Sequence, residues 1–365
     1  MTPDLFTPLE LRETTIPNRL MVSPMCQYSV EARDGRATDW HLVHLGSRAV
    51  GGAGLVMTEA TAVEARGRIT PQDLGLWSDE HRDALERTAA LVREQGAVPG
   101  IQLAHAGRKA SKTRPWAGSD PLAPEGGGWE TIAPSARPWP YESGETATRA
   151  MDEADIESVI DAFRAAARRA RKAGFLVAEV HAAHGYLLHE FLSPVTNDRS
   201  DAYGGSFENR TRLVREVTRA VREEWPDDRP VFVRISGTDW LPDRDSWTVE
   251  DSARLAGDLA DCGADLIDVS SGGIAPDSHP SWTGPNYQLA LAERVREATD
   301  LAVGTVGGIT TPEQAEAIVH DDRADLAIVG RAFLRDPYFG VHTAERLDAR
   351  DRSPVPEQYE RAFDR

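Results

Sequence analysis

The stretches VFVRI at residues 231–235 and LIDV at residues 266–269 decide how this chain folds. Neither alternates apolar with polar residues, which is typical of parallel strands buried on both faces of a sheet. An amphipathic helical pattern lies between them, near residues 249–261. Such a pattern repeats at helical spacing on one face only. The sequence therefore predicts a strand–helix–strand unit.

The same unit recurs along the whole chain. The predicted strands are residues 19–23, 55–60, 98–103, 176–181, 231–235, 266–269, 302–306 and 326–329. The predicted helices are 39–51, 80–94, 153–173, 207–224, 249–261, 287–298, 312–319 and a final stretch after residue 329. Eight such units predict an α/β protein with a (β/α)8 TIM barrel, and one domain of this kind can span residues 1–365. A doubly wound sheet is the alternative, but no GxGxxG follows a strand.

Residues 113–148 interrupt this alternation. They are rich in proline, glycine, serine and tryptophan, and they follow the third predicted strand. A structureless loop of such length is usually functional or disordered, and its tryptophans argue against disorder. We expect a lid-like excursion on the face of the barrel where the strands end.

Bulk composition excludes several classes of function. The formal net charge is −18, which repels nucleic acid and anionic lipid. The N-terminal residues lack the basic and apolar regions of a signal peptide, and no apolar run reaches the ~20 residues of a membrane span. Cys26 and Cys262 form no metal-type spacing or disulfide framework. These features predict a cytoplasmic protein.

Glycines follow the last two predicted strands, where barrels often bind phosphate. Gly307 and Gly308 end the seventh strand, and Gly330 and Arg331 follow the eighth. Glycine lets backbone N–H groups approach an anion, and arginine adds a fixed fork of donors. Tight turns explain each dipeptide alone, but their joint position favours a phosphate site.

Other strand ends carry groups suited to a heteroaromatic ring. Gln102 offers a donor and an acceptor, Arg234 can stabilise negative charge, and Pro24 and Met25 supply apolar contact. Together with a phosphate site, this set predicts flavin mononucleotide (FMN) across the mouth of the barrel.

The stretch VHAAHGYLLHEFL at residues 180–192 follows the fourth predicted strand. His181 and His184 can converge if the chain turns helical directly after that strand. The same spacing would allow a metal pair, which we rank lower because no HExxH or Cys/His cluster is present. His189 and Glu190 are interpreted as structural polar residues, and Cys262 as a buried hydrophobe.

The chain resembles the Old Yellow Enzyme family of FMN-dependent ene-reductases, in its bacterial xenobiotic-reductase-like branch. The resemblance spans nearly the whole sequence. It rests on SPMCQY at 23–28, QLAHAGRKA at 102–110, HAAHGYLLHEFLSPVTNDRSDAYGGSFENRTR at 181–212, VGGI at 306–309 and GRAFLRDP at 330–337.

The resemblance implies a role for each matched position. The flavin ring would be contacted by the backbone of Ser23, Pro24, Met25 and Cys26 together with Ala60, Gln102 and Arg234. Its phosphate would be bound by Gly307, Gly308, Gly330 and Arg331. NADPH or NADH would reduce the flavin, and an α,β-unsaturated carbonyl compound would be the substrate.

The resemblance also implies the chemistry of the substrate site. His181 and His184 would hydrogen-bond the carbonyl oxygen, and Tyr186 would supply a proton. Cys26 would tune the flavin potential, and Tyr28 and Lys109 would line the substrate pocket.

The C-terminal tail, residues 350–365, is the last feature that the resemblance covers. Its ending PEQYERAF implies a homo-oligomer, a dimer or tetramer, in which Arg361 reaches a neighbouring subunit's site. The family often has an aromatic residue two positions after this arginine, in some members a tryptophan, and here that residue is Phe363.

Two other functions remain as alternatives. A flavin-free, phosphate-binding barrel aldolase or isomerase would need a buried Schiff-base lysine at a strand end. Lys109 alone lies near one, beyond the strand. A non-enzymatic FMN-binding protein would not need two histidines beside a proton donor.

Overall fold

The strands of the barrel form as predicted. The computed structural model describes residues 4–352 and 355–362. Its strands are, in chain order, β1 (Leu9–Leu11), β2 (Thr14–Ile16), β3 (Leu20–Val22), β4 (Leu55–Ala62), β5 (Val98–Ala104), β6 (Thr131–Ala133), β7 (Thr148–Ala150), β8 (Val177–Ala182), β9 (Val231–Ser236), β10 (Leu266–Ser270), β11 (Ala302–Val306) and β12 (Leu326–Val329). Strands β3, β4, β5, β8, β9, β10, β11 and β12 close a parallel barrel. The predicted TIM-barrel fold is confirmed.

Helices surround this barrel. They are α1 (Asp39–Val50), α2 (Asp79–Glu94), α3 (Glu153–Lys172), α4 (Leu187–Leu192), α5 (Phe207–Arg210), α6 (Arg212–Glu224), α7 (Val249–Ala260), α8 (Leu289–Arg296), α9 (Pro312–His320), α10 (Arg331–Arg335) and α11 (Phe339–Arg346). Asp152 caps α3 by accepting the N–H of Asp155 at 2.8 Å. The helix predicted over 207–224 is in fact two helices, divided at Thr211.

Side chains on alternate strand positions fill the inside of the barrel in layers. An apolar layer near the amino ends includes Val177, Phe232 and Leu266. Two residues further along the same three strands stand Glu179, Arg234 and Asp268, all buried. Side chains two residues apart on a strand point to the same face. Each of these three strands therefore carries one charged side chain that faces the inside of the barrel.

An N-terminal hairpin, which the sequence did not predict, closes the amino end of the barrel. Strands β1 and β2 are antiparallel, and Leu9 and Ile16 join the apolar interior layer. The N–H of Glu13 donates to the carbonyl of Asp228, and Arg12 Nε lies 2.6 Å from Asp265 Oδ1. Because these partners precede β9 and β10, the hairpin lies opposite the carboxyl ends of the strands.

The excursion is more ordered than predicted. Strand β6 is buried and pairs in parallel with β7 at its far end. Trp129 Nε1 donates to the carbonyl of Arg66 at 2.9 Å, and the Trp139 ring lies 4.5 Å from Lys109 Nζ. Its tryptophans therefore anchor the excursion on the barrel, at the end where the strands finish.

Candidate active site

Two histidines and a tyrosine meet at the carboxyl end of β8. The rings of His181 and His184 are 5.2 Å apart, and those of His181 and Tyr186 are 5.3 Å apart, both edge to face. The predicted helical turn is wrong. His184 and Gly185 adopt positive φ of 59° and 67°, and α4 begins only at Leu187. This left-handed turn points the two imidazoles at one region.

Three neighbours hold that turn in place. His189 Nδ1 accepts the N–H of Gly185 at 2.8 Å, and its Nε2 lies 3.0 Å from Asp239 Oδ1. Lys109 Nζ donates to the carbonyl of His184 at 2.8 Å. A Cβ at Gly185 would lie 2.0 Å from the carbonyl oxygen of Gly273, so only glycine fits. His189 thus has the structural place that the sequence suggested.

Burial keeps both imidazoles neutral. It lowers the pKa of His181 and His184 well below the usual range, and the charge of Arg234 acts in the same direction. His184 Nε2 lies 2.7 Å from Ser270 Oγ. When that hydroxyl donates, His184 keeps its one proton at Nδ1. A neutral imidazole has one donor and one acceptor nitrogen, so each ring can offer an N–H.

Tyr186 stands in an apolar pocket with its phenol protonated. It packs against a small cluster that contains Ile69, Ala106 and Ala110. Burial raises the pKa of Tyr186 well above its usual value, and Cys26 and Asp73 add to this. Lys109 Nζ lies 4.9 Å from the ring centre. Tyr186 therefore holds a transferable proton throughout the neutral range.

Cys26 and Tyr28 belong to the same cluster. Burial, followed by the charges of Asp73 and Glu59, raises the pKa of Cys26, so its sulfur is a thiol and not a thiolate. Tyr28 has a positive φ of 51° and its ring meets Trp116 of the excursion edge to face. The two residues therefore pack against the same small apolar cluster as Tyr186.

Glu59 and His41 support the loop that carries Cys26, and sequence reasoning missed both. Glu59 Oε2 accepts the N–H of Gln27 at 2.9 Å. His41 Nε2 lies 3.1 Å from Glu59 Oε1, and both side chains are buried. Glu59 is the one charged residue of β4, and a charge within an otherwise uncharged strand was the available signal.

Lys109 connects the excursion to the site. Besides the carbonyl of His184, its Nζ reaches the carbonyl of Gly273 at 3.0 Å. Burial and the nearby Lys112 lower the pKa of Lys109 to about 7. Glu190 lies behind it, accepting the N–H of Arg108 at 2.9 Å. Lys109 thus ties two loops together at the edge of the pocket.

A cavity of about 540 Å³ lies where the last two barrel strands end. Its lining includes Met25, Gly307, Gly308, Gly330 and Arg331, all named by the sequence analysis. Sequence reasoning missed a further contribution from the loop before α8, which supplies Gly284, Tyr287 and Gln288. That loop carries no phosphate motif, so only the folded chain shows it.

Four buried polar side chains lie on the strands below the histidines. Gln102 Nε2 donates to Glu179 Oε1 at 2.8 Å, and Arg234 Nε lies 3.4 Å from Asp268 Oδ2. Arg234 Nη1 also donates to Ser23 Oγ at 3.3 Å. The sequence analysis named Gln102 and Arg234 but missed both carboxylates. Each carboxylate stands singly within a mostly apolar strand, and no sequence motif marks it.

Two further residues that the sequence predicted to contact the flavin ring lie near the ends of barrel strands. Ala60 pairs with Gln102 across β4 and β5. Pro24 follows β3 directly after Ser23 and is half-buried. Both therefore lie at the carboxyl end of the barrel, where the sequence analysis expected them.

Arg361 lies in the C-terminal tail, outside the site that His181 and His184 form. It is exposed in the tail and lines a surface cavity with Tyr338, His342 and Tyr359. The Tyr338 and Tyr359 rings lie 6.2 Å apart. The chain therefore folds its tail against α11 and does not bring Arg361 to its own histidines. Phe363 lies outside the described residues.

The cavity and the buried layer fit FMN. The cavity volume is within the roughly 300–1,000 Å³ of small-molecule sites. Gly307 and Gly308 have positive φ of 118° and 70°, and a Cβ at 307 would lie 2.6 Å from Gln288 Nε2. Arg234 Nε has no hydrogen-bond partner in the part of the chain that the structure describes. A buried guanidinium, a second arginine at the cavity and glycine amides suit an anionic ring and phosphate.

Comparison with known proteins identifies the family. A family model described as "NADH:flavin oxidoreductase / NADH oxidase family" matches residues 4–349. The chain belongs to this family. An NADPH dehydrogenase of Geobacillus sp. (strain WCH70) is 48% identical over 360 residues, which cover 98% of each chain. The predicted membership of the Old Yellow Enzyme family is thereby confirmed.

Solved structures agree with this assignment. Morphinone reductase has a TM-score of 0.78 and 29% identity, over 96% of this chain and 91% of the other. An Old Yellow Enzyme homologue from Zymomonas mobilis has a TM-score of 0.77 and 26% identity, over 94% of this chain and 93% of that one. This Old Yellow Enzyme is therefore an NAD(P)H-dependent flavin oxidoreductase whose cofactor is FMN.

Two kinds of feature are absent from the part of the chain that the structure describes. Within residues 4–352 and 355–362, no helix is both long and apolar enough to cross a membrane. The same residues contain no group of three or more His, Cys, Asp or Glu side chains placed to hold a metal ion.

Replacing Gly307 with alanine should weaken FMN binding by about 5- to 150-fold. The added Cβ would meet Gln288 and Tyr287 at a φ of 118°, and such strain costs about 1–3 kcal/mol. Gly96→Ala is the matched control, because Gly96 also has a positive φ but no atom within 4 Å of its Cβ. Fluorescence titration of the apoprotein with FMN measures both. Equal FMN affinity in the two variants would contradict the assignment.

Proposed function

We propose that this Old Yellow Enzyme reduces the activated C=C bond of α,β-unsaturated carbonyl compounds. The observation that carries the proposal is the meeting of two neutral imidazoles with a protonated phenol, His181, His184 and Tyr186, beside the FMN site. An enone needs the same set, namely donors for its carbonyl oxygen and a proton for its α-carbon.

FMN, held by the residues of the cavity and of the buried layer, would supply hydride chemistry between NAD(P)H and the β-carbon of the substrate. The chain contributes position and electrostatics. The N–H groups of His181 and His184 would bind the carbonyl oxygen as it gains negative charge. One good donor of this kind stabilises a transition state by roughly 3–4 kcal/mol.

Tyr186 would then protonate the α-carbon as a general acid. Its phenol stays protonated because burial raises the pKa of Tyr186. Lys109, through the carbonyl of His184, would keep the left-handed turn in place. Tyr28 and the thiol of Cys26 would line the pocket, with Cys26 also tuning the flavin potential.

The binding roles of the remaining residues follow from their positions. Gly307, Gly308, Gly330 and Arg331 line one cavity and would bind the phosphate. The ring would be contacted by Ser23, Pro24, Met25, Ala60, Gln102 and Arg234. This arrangement disfavours a flavin-free aldolase or isomerase, because Lys109 lies beyond its strand and is engaged with two carbonyls.

We propose further that residues 1–365 form one FMN-binding domain and that the enzyme is a homo-oligomer. Arg361 is exposed and faces away from the histidines of its own chain. That position is consistent with a contact to a neighbouring subunit's site. Arg361→Ala would then lower enone turnover without changing FMN content.

Anaerobic turnover with NADPH and cyclohexenone tests the proposal. The expected product is the saturated ketone, formed in equal amount to the NADPH consumed. Formation of the allylic alcohol, or NADPH oxidation without loss of enone, would contradict it. Retention of FMN in every case keeps the test separate from cofactor binding.

A further inference from the structure

A buried layer of four polar side chains lies inside the barrel, one on each of four strands. They are Gln102 on β5, Glu179 on β8, Arg234 on β9 and Asp268 on β10, none more than 4% exposed. Gln102 Nε2 donates to Glu179 Oε1 at 2.8 Å, and Arg234 Nε is 3.4 Å from Asp268 Oδ2. The layer therefore holds two carboxyl groups and a single guanidinium.

These carboxyl groups are incompletely satisfied. Among the residues that the structure describes, Glu179 Oε2 and both oxygens of Asp268 have no N–H donor, and the two carboxyl groups instead lie within hydrogen-bonding reach of each other. If both groups were ionised, a net negative charge would be buried directly above the apolar layer of Val177, Phe232 and Leu266. An uncompensated buried charge is strongly unfavourable. One proton shared by the two groups makes the layer neutral.

The surroundings decide which group holds that proton. Burial and then the charge of Asp268 raise the pKa of Glu179 to about 8. Burial also raises the pKa of Asp268, and Arg234 opposes the rise in both groups, but the hydrogen bond between the two carboxyl groups lowers the pKa of Asp268 while it raises that of Glu179. The charged groups that act on Glu179 are Asp268 and Arg234. His181, two residues further along β8, is neutral. At neutral pH, Glu179 is thus the acid and Asp268 the carboxylate paired with Arg234.

We propose that Glu179 and Asp268 are positioning residues for the flavin, which share one proton and so set the charge and hydrogen bonding that Arg234 and Gln102 present to FMN. This inference rests on the proposed function, which assigns Arg234 and Gln102 to the flavin ring. The Gln102 amide nitrogen is committed to Glu179, which fixes the direction of its carbonyl oxygen.

The shared proton couples the layer to the redox state. Reduced flavin carries more negative charge than oxidised flavin, so it disfavours ionised Glu179. Its pKa is then higher in the reduced protein than in the oxidised protein. Between these two pKa values, reduction by two electrons draws one additional proton from solvent to Glu179. The midpoint potential should therefore fall more steeply with pH in that interval, which starts at about 8.

The test is the two-electron midpoint potential of the FMN-loaded protein, measured by anaerobic reductive titration from about pH 6 to about pH 10. Wild-type protein should show a steeper segment that begins near the pKa of Glu179. Glu179→Gln keeps the shape and the hydrogen-bonding capacity but cannot titrate. Its curve should lack the segment, while ionisations of the flavin itself remain common to both proteins.

Asp268→Asn provides an independent arm. It removes the negative charge that helps to raise the pKa of Glu179, so the steeper segment should begin at a lower pH than in the wild type. A segment at the wild-type position in Asp268→Asn, or the same steep segment in Glu179→Gln, would overturn the inference.

The wild-type curve is itself decisive if a variant fails to fold. A wild-type potential without a steeper segment would overturn the inference. Failure here is distinguishable from failure of the proposed function. Enone reduction without the steeper segment would contradict only the shared proton. The steeper segment without enone reduction would contradict only the proposed substrate.

Discussion

Replacing Tyr186 with phenylalanine should slow enone reduction by about 10²–10⁴-fold, the usual contribution of a general acid. Phenylalanine keeps the ring that packs against His181 and faces Lys109, so the pocket should retain its shape. Reduction of FMN by NAD(P)H needs no proton from this phenol and should continue at the wild-type rate. Rapid mixing measures the two half-reactions separately.

The control for this variant is Tyr203→Phe. Tyr203 donates its hydroxyl to Glu216 at 3.0 Å, on the helical shell and away from the histidines. Loss of this hydroxyl should leave the rates of both half-reactions unchanged. Equal slowing of both half-reactions in Tyr186→Phe would remove Tyr186 as the proton donor.

Replacing His184 with alanine should lower kcat/KM for enones by about 10²–10³-fold, because one donor to the developing oxyanion is lost. The backbone matters here as well. His184 has a φ of 59°, a conformation that asparagine tolerates better than alanine. His184→Asn keeps both an N–H donor and a compatible backbone, and should therefore retain far more activity.

FMN content is the control for the comparison of the two His184 variants. Both His184 variants should bind FMN like the wild type, since the phosphate cavity lies at the ends of the other strands. A loss of equal size in the alanine and asparagine variants would mean that His184 acts through its shape and not through a hydrogen bond.

Much of the fold could be predicted from local pattern. The buried strands β9 and β10 are apolar without strict alternation, and α3 has both a capping residue and one apolar face. The hairpin at Leu9–Ile16 was missed because each of its strands has three residues, too few to display a period. The parallel pairing of β6 with β7 joins the middle of the excursion to its far end, which no local signal reveals.

The candidate site, like the fold, could be predicted from the sequence only in part. Residues at strand ends, such as His181 and Gln102, could be placed because a barrel brings all carboxyl ends together. The left-handed turn at His184 could not, since φ depends on contacts with Gly273 and His189 that only the folded chain supplies. Glu179 and Asp268 were hidden because each stands within an apolar strand. Their partners come from other strands.

Reoxidation of the reduced protein by an enone tests the central claim most directly. The FMN-loaded protein is bleached by NADPH without oxygen and then mixed rapidly with cyclohexenone. We predict that the yellow colour returns as the saturated ketone forms, one molecule for each flavin. A protein that stays bleached in the presence of the enone, and recovers its colour only when oxygen is admitted, would contradict the account.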